Sequence, residues 1–109
     1  MTLSEIIVAL NKIWYDLIGP IHHKDRDCHF KVVEMYSYGD RIMYSVEHYG
    51  YLLDHYFEDF DTKVEAEKAL IKYLGDAIVE WVNIEREESL GDEAADEILD
   101  QVKNLVAVP

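Results

Sequence analysis

His22, His23, Asp25, Asp27, Cys28 and His29 place three imidazoles, one thiol and two carboxylates within eight consecutive positions. Donors of these types hold zinc, nickel or copper. The spacing fits no structural zinc pattern, adjacent histidines project in different directions, and Lys24 and Arg26 oppose a bound cation. The segment therefore reads as a solvated loop leading into a strand. His48 and His55 fall on consecutive predicted strands, with Asp54 and Glu58 close in sequence. These are the residue types of general acids and bases. No serine, lysine or cysteine stands near them as an evident nucleophile, and no glycine-rich phosphate loop accompanies them. They read as histidines at the edge of a core, and the chain as a non-enzyme that needs no metal and no cofactor.

Two further sets of residues bear on binding. Glu85, Glu87, Glu88, Asp92, Glu93, Asp96, Glu97 and Asp100 form a dense acidic run in which Arg86 is the one basic member. On a helix, carboxylates on successive turns stand about 5–6 Å apart, near the spacing of phosphates along a nucleic-acid strand. The run is thus the candidate partner-binding surface, suited to a basic protein and able to act as a nucleic-acid mimic. The second set is Tyr36, Tyr38, Tyr44, Tyr49, Tyr51 and Tyr56, in or beside the predicted strands, with Met35 and Met43. Tyrosine suits a half-buried sheet. A sheet covered on one face alone would show tyrosine and methionine to water, which is interface composition.

The elements that position these residues are legible from periodicity. Thr2 and Glu5 have capping-box spacing. Leu3, Ile6, Ile7, Leu10, Ile13, Trp14, Leu17 and Ile18 then recur on one helical stripe until Gly19 and Pro20, which predicts a helix over 3–18. Strand-like runs follow at 28–37, 41–49 and 51–57, separated by Tyr38-Gly39-Asp40 and by Gly50. In the second run Ile42, Tyr44 and Val46 alternate with Arg41, Met43, Ser45 and Glu47. Connections this short join antiparallel neighbours. Thr62 and Glu65 repeat the capping-box spacing ahead of a stripe of Ala66, Ala69, Leu70, Tyr73, Leu74, Ala77, Ile78, Trp81 and Val82, predicting a long helix over 63–84. An acidic break at 87–91 precedes a last helix over 92–105, striped by Ala94, Ala95, Ile98, Leu99, Val102 and Leu105.

The expected fold is α+β, with a three-stranded antiparallel meander covered on one face by helices in the order α-β-β-β-α-α. Over residues 3–84 this order is similar to that of double-stranded-RNA-binding domains, which hold phosphates with a lysine-rich start of their second helix. Here that position is Thr62-Lys63-Val64-Glu65-Ala66-Glu67-Lys68, preceded by Glu58, Asp59 and Asp61. Two lysines among so many carboxylates argue against the activity, so the similarity is one of arrangement.

Composition sets the outer limits. A chain of 109 residues, half of them hydrophobic, is expected to fold as a single domain over 1–109. One cysteine excludes an intramolecular disulfide. Glu5, Asn11, Lys12 and Asp16 interrupt the apolar start at helical spacing, so it is no secretory signal, and a cytoplasmic location is expected. The net charge is -13. Residues 1–53 contribute seven acids against five bases, and residues 54–109 sixteen against five. That asymmetry disfavours phosphate backbones and anionic lipid headgroups. It favours a non-catalytic acidic protein of the inhibitor or immunity type, acting on a basic protein partner. The alternatives are a small metal-binding protein or enzyme using the histidine-rich loop, and a structural homo-oligomer joined through the tyrosine-bearing sheet or the last helix.

Overall fold

Thr2 and Glu5 close the first turn of the first helix reciprocally: the Glu5 amide donates to Thr2 Oγ1 at 3.2 Å and the Thr2 amide donates to Glu5 Oε1 at 3.0 Å. The backbone bond from Thr2, and then that from its hydroxyl, hold the Glu5 carboxyl below the usual glutamate range. The helix, α1, runs Leu3–Leu17. It belongs to a computed structural model that describes residues 1–17, 30–36, 39, 41–48, 51–52 and 59–107, with backbone alone at 36, 51 and 52.

β1 (Phe30–Tyr36) and β2 (Ile42–His48) pair antiparallel from Phe30↔His48 to Tyr36↔Ile42. Gly39, in the connection between them, has φ +87, a conformation glycine adopts without a Cβ clash. α2 (Lys63–Glu85) starts at Thr62, whose hydroxyl accepts the Glu65 amide at 3.2 Å. A π-helical turn at Arg86–Leu90 and Gly91, at φ +79, then redirect the chain into α3, Asp92–Val106. The helical boundaries lie within a residue or two of those read from the sequence.

The expected three-stranded meander in the order α-β-β-β-α-α is corrected: the fold is α+β with a two-stranded antiparallel sheet and three helices. Of the run 51–57, Tyr51–Leu52 alone pairs among the described residues, adding a two-residue stub to the outer edge of β2 opposite His48 and Glu47. Further along that edge Tyr44 bridges to Phe60. Three steps along β2 separate Glu47 from Tyr44, whereas eight separate Leu52 from Phe60. An uninterrupted ladder needs equal numbers, so the two anchor points cannot belong to one regular strand. The arrangement shared with double-stranded-RNA-binding domains requires that strand and lapses with it.

α2 is the spine. Leu70, Ile71, Leu74, Ile78 and Val82 are fully or almost fully buried and meet Ile6 and Leu10 of α1, Phe30 and Val46 of the sheet, and Ala95 and Val102 of α3. Each large aliphatic side chain removed from water in this way contributes about 1.5–3 kcal/mol before entropy is counted. The last helix therefore closes the same core. Among the described residues no helix is long and apolar enough to cross a membrane.

Candidate functional site

The corner between α2 and α3 carries the acidic run, and its geometry divides the eight expected carboxylates into two groups. Arg86 folds back across the corner: Nη1 donates to Asp92 at 3.2 Å and Nη2 to Asp96 at 2.7 Å. These two bonds, that to Asp96 foremost, raise the guanidinium above its already high ordinary value, so it is a fixed positive charge. Glu85 is half-buried and accepts the Ser89 hydroxyl at 2.7 Å. Asp92, Asp96 and Glu85 thus have structural work within the corner. Asp92 and Asp96 nonetheless remain open to solvent, at 85% and 70% side-chain exposure.

The other five, Glu87, Glu88, Glu93, Glu97 and Asp100, are exposed and have no ion pair among the described residues. Glu87 and Glu88 project from the π turn. Glu93, Glu97 and Asp100 are four and then three residues apart on α3, which puts them on one stripe about 5–6 Å from turn to turn. The opposite stripe of α3 is committed to the core through Ala95 and Val102. A rigid, packed helix therefore holds the acidic stripe outward. Within α3 the one basic residue is Lys103, and Arg86 at the corner is already engaged.

The other sequence-derived sites have different fates. His22, His23, Asp25, Asp27, Cys28 and His29 lie outside the described residues, as do His55, Asp54 and Glu58. His48 stacks on Phe30 with ring centroids 3.8 Å apart and planes within 8°, a packing role at the sheet's end. No group of three or more metal-ligating side chains occurs among the described residues. Of the sheet residues, Tyr44, Met35 and Met43 are half-buried. The side chains of Tyr36, Tyr38, Tyr49, Tyr51 and Tyr56 lie outside the described residues.

Two polar residues with structural roles escaped the sequence reading. Asn11, taken there as a mere interruption of an apolar stretch, clasps the start of β1 through both its amide atoms. Glu67 is only 7% exposed and accepts the Ser4 hydroxyl at 3.0 Å. Its spacing was the available signal: Glu67 sits three, four and seven residues before Leu70, Ile71 and Leu74, on the buried face of α2. No protein family, curated protein or solved structure matches the chain. Functional readings therefore rest on its own residues.

Proposed function

We propose that this chain is a non-catalytic, cytoplasmic binding protein that engages a basic protein through the acidic stripe of α3 and the adjoining π turn. Glu93, Glu97 and Asp100 would face the partner's lysines and arginines, with Glu87 and Glu88 extending the contact around the corner. A protein whose groove normally holds a phosphate backbone is the fitting class of partner, because the carboxylates repeat along the helix as charges do along a strand. The observation that carries this reading is the exposure of five unpaired carboxylates beside one committed arginine. Such a field steers association and makes it fast and salt-sensitive.

The test is affinity capture from the native host with the unaltered protein and with a Glu93→Gln, Glu97→Gln, Asp100→Asn triple variant. A basic partner held at low salt, released by about 0.5 M salt as the Debye length falls toward 3 Å, and lost from the triple variant is the expected result. A partner that is not basic, or one that both preparations retain at high salt, would overturn the proposal. The three substitutions lie on the solvent face, so circular dichroism should show the fold unchanged.

A further inference from the structure

A groove of about 240 Å³ opens where the start of α1, β1 and the first turns of α2 meet, well away from the acidic corner. Its lining includes Ile7, Val8, Phe30 and Val32 together with Glu67, whose carboxylate accepts the exposed Ser4 hydroxyl. Glu67 is more than nine-tenths buried, yet the Ser4 hydroxyl is its one described partner, and no described cation pairs with it. A buried carboxylate is costly unless a positive charge or several donors compensate it. Two lysines reach the rim. Lys31 is committed to Glu47 at 3.2 Å. Lys63, one helical turn before Glu67, is exposed and has no described ion pair. Lysine placed N-terminal to glutamate is the weaker order for a pair along a helix, which accounts for their failure to close on each other.

The groove thus presents a recessed carboxylate, apolar lining residues and, one turn or about 6 Å of backbone rise toward the start of α2, the unpaired Lys63. We infer that it binds a small zwitterion of the apolar amino-acid type. The ligand's ammonium donates to Glu67 and to the lone pair of Ser4 Oγ, its hydrocarbon body lies against Val8 and Val32, and its carboxylate meets Lys63. Charge-assisted bonds at both ends fix its orientation. This site is independent of the acidic stripe on α3.

Three probes separate the contributions in an NMR titration of the whole protein: L-leucine, isoamylamine, which lacks the carboxylate, and 4-methylpentanoate, which lacks the ammonium. The expected order is leucine tightest, the amine weaker and the carboxylate without effect, with shifts centred on the amides of Ser4, Val32 and Glu67. Glu67→Gln should weaken leucine and the amine at least tenfold. Lys63→Gln should remove leucine's advantage over the amine. Val8→Trp obstructs the groove from an exposed position and should abolish both, so the result does not hang on Glu67→Gln folding. The inference is overturned if none of the probes shifts these amides at tens of millimolar, if 4-methylpentanoate binds as well as the amine, or if the Glu67 and Val8 variants bind leucine undiminished.

Discussion

Asn11 shows how one side chain can fasten a helix to the start of a strand. The Phe30 amide donates to Asn11 Oδ1 at 2.7 Å, while Asn11 Nδ2 donates to the Phe30 carbonyl and to the Ile7 carbonyl, both at 2.9 Å. A carboxamide offers a donor and an acceptor side by side, as a neighbouring peptide group would, so α1 caps the first residue of β1 directly. Phe30 is the residue so fixed. It is 3% exposed, and its ring meets Trp14 edge-on at 5.7 Å, Tyr73 at 5.9 Å and His48 face to face. Leaving a buried backbone donor or acceptor unmade costs about 1–3 kcal/mol. Asn11→Ala should therefore lower the unfolding free energy by about 1–3 kcal/mol in urea, with Asn11→Asp intermediate because it keeps the acceptor. A loss below about 0.5 kcal/mol, the range of ordinary surface substitutions, would show that the clasp is incidental.

At the level of elements, the joint between α2 and α3 depends on Gly75. A Cβ built there would lie 2.7 Å from Val106 Cγ2 and 3.8 Å from Val102 Cγ1, so the missing side chain lets the two helices approach. Alanine would add about 1 kcal/mol of helix propensity at this position, against about 1–3 kcal/mol for overpacking beside a stiff β-branched neighbour. The expected net effect of Gly75→Ala is a loss of about 1 kcal/mol. In the Gly75→Ala, Val106→Ala double variant the clash disappears, so the two losses should sum to more than the loss measured for the pair. Simple additivity in thermal or chemical denaturation would place the close approach elsewhere.

Helices were legible in the sequence because their determinants are local: Thr2 with Glu5, Thr62 beside the α2 stripe, and the α3 stripe itself. The strands were legible only in part. Val46 and Ile42 alternate with their neighbours as expected, but Ser45, from the other set with Arg41, Met43 and Glu47, is buried as fully as Val46. The third strand misled because β-branched and aromatic runs report a fit to some sheet and say nothing of register. The unequal spacing of the Tyr51–Leu52 stub and the Phe60 bridge along β2 is a non-local property that no window of residues contains. The acidic run was legible as composition, whereas its division into committed and free carboxylates needed the fold of the corner around Arg86. Glu67 was hidden for the opposite reason: an apolar stripe is recognised by its apolar members, and a charged one among them is discounted.

Over the whole molecule, a net charge of -13 acts on folding and on binding with opposite signs. Within the chain, like charges repel, and the folded state holds them closer than the unfolded chain does, so self-repulsion works against folding. Among the described residues that repulsion is concentrated where α2 ends and α3 begins, since Glu87, Glu88, Glu93, Glu97 and Asp100 crowd one corner and Arg86 offsets Asp92 and Asp96. Salt screens this repulsion. Raising sodium chloride from about 0.01 M to about 0.1 M shortens the Debye length from about 30 Å to about 10 Å. Over that interval the midpoint of thermal unfolding should rise by a few degrees, while affinity for a basic partner falls. The Glu93→Gln, Glu97→Gln, Asp100→Asn variant should start from a higher midpoint at low salt and respond less. A midpoint that is flat or falls with salt in the unaltered protein would mean that local pairs such as Arg86 with Asp96 outweigh the general repulsion. The corner would then be a stabilising device, and its exposed carboxylates would no longer need a partner to explain them.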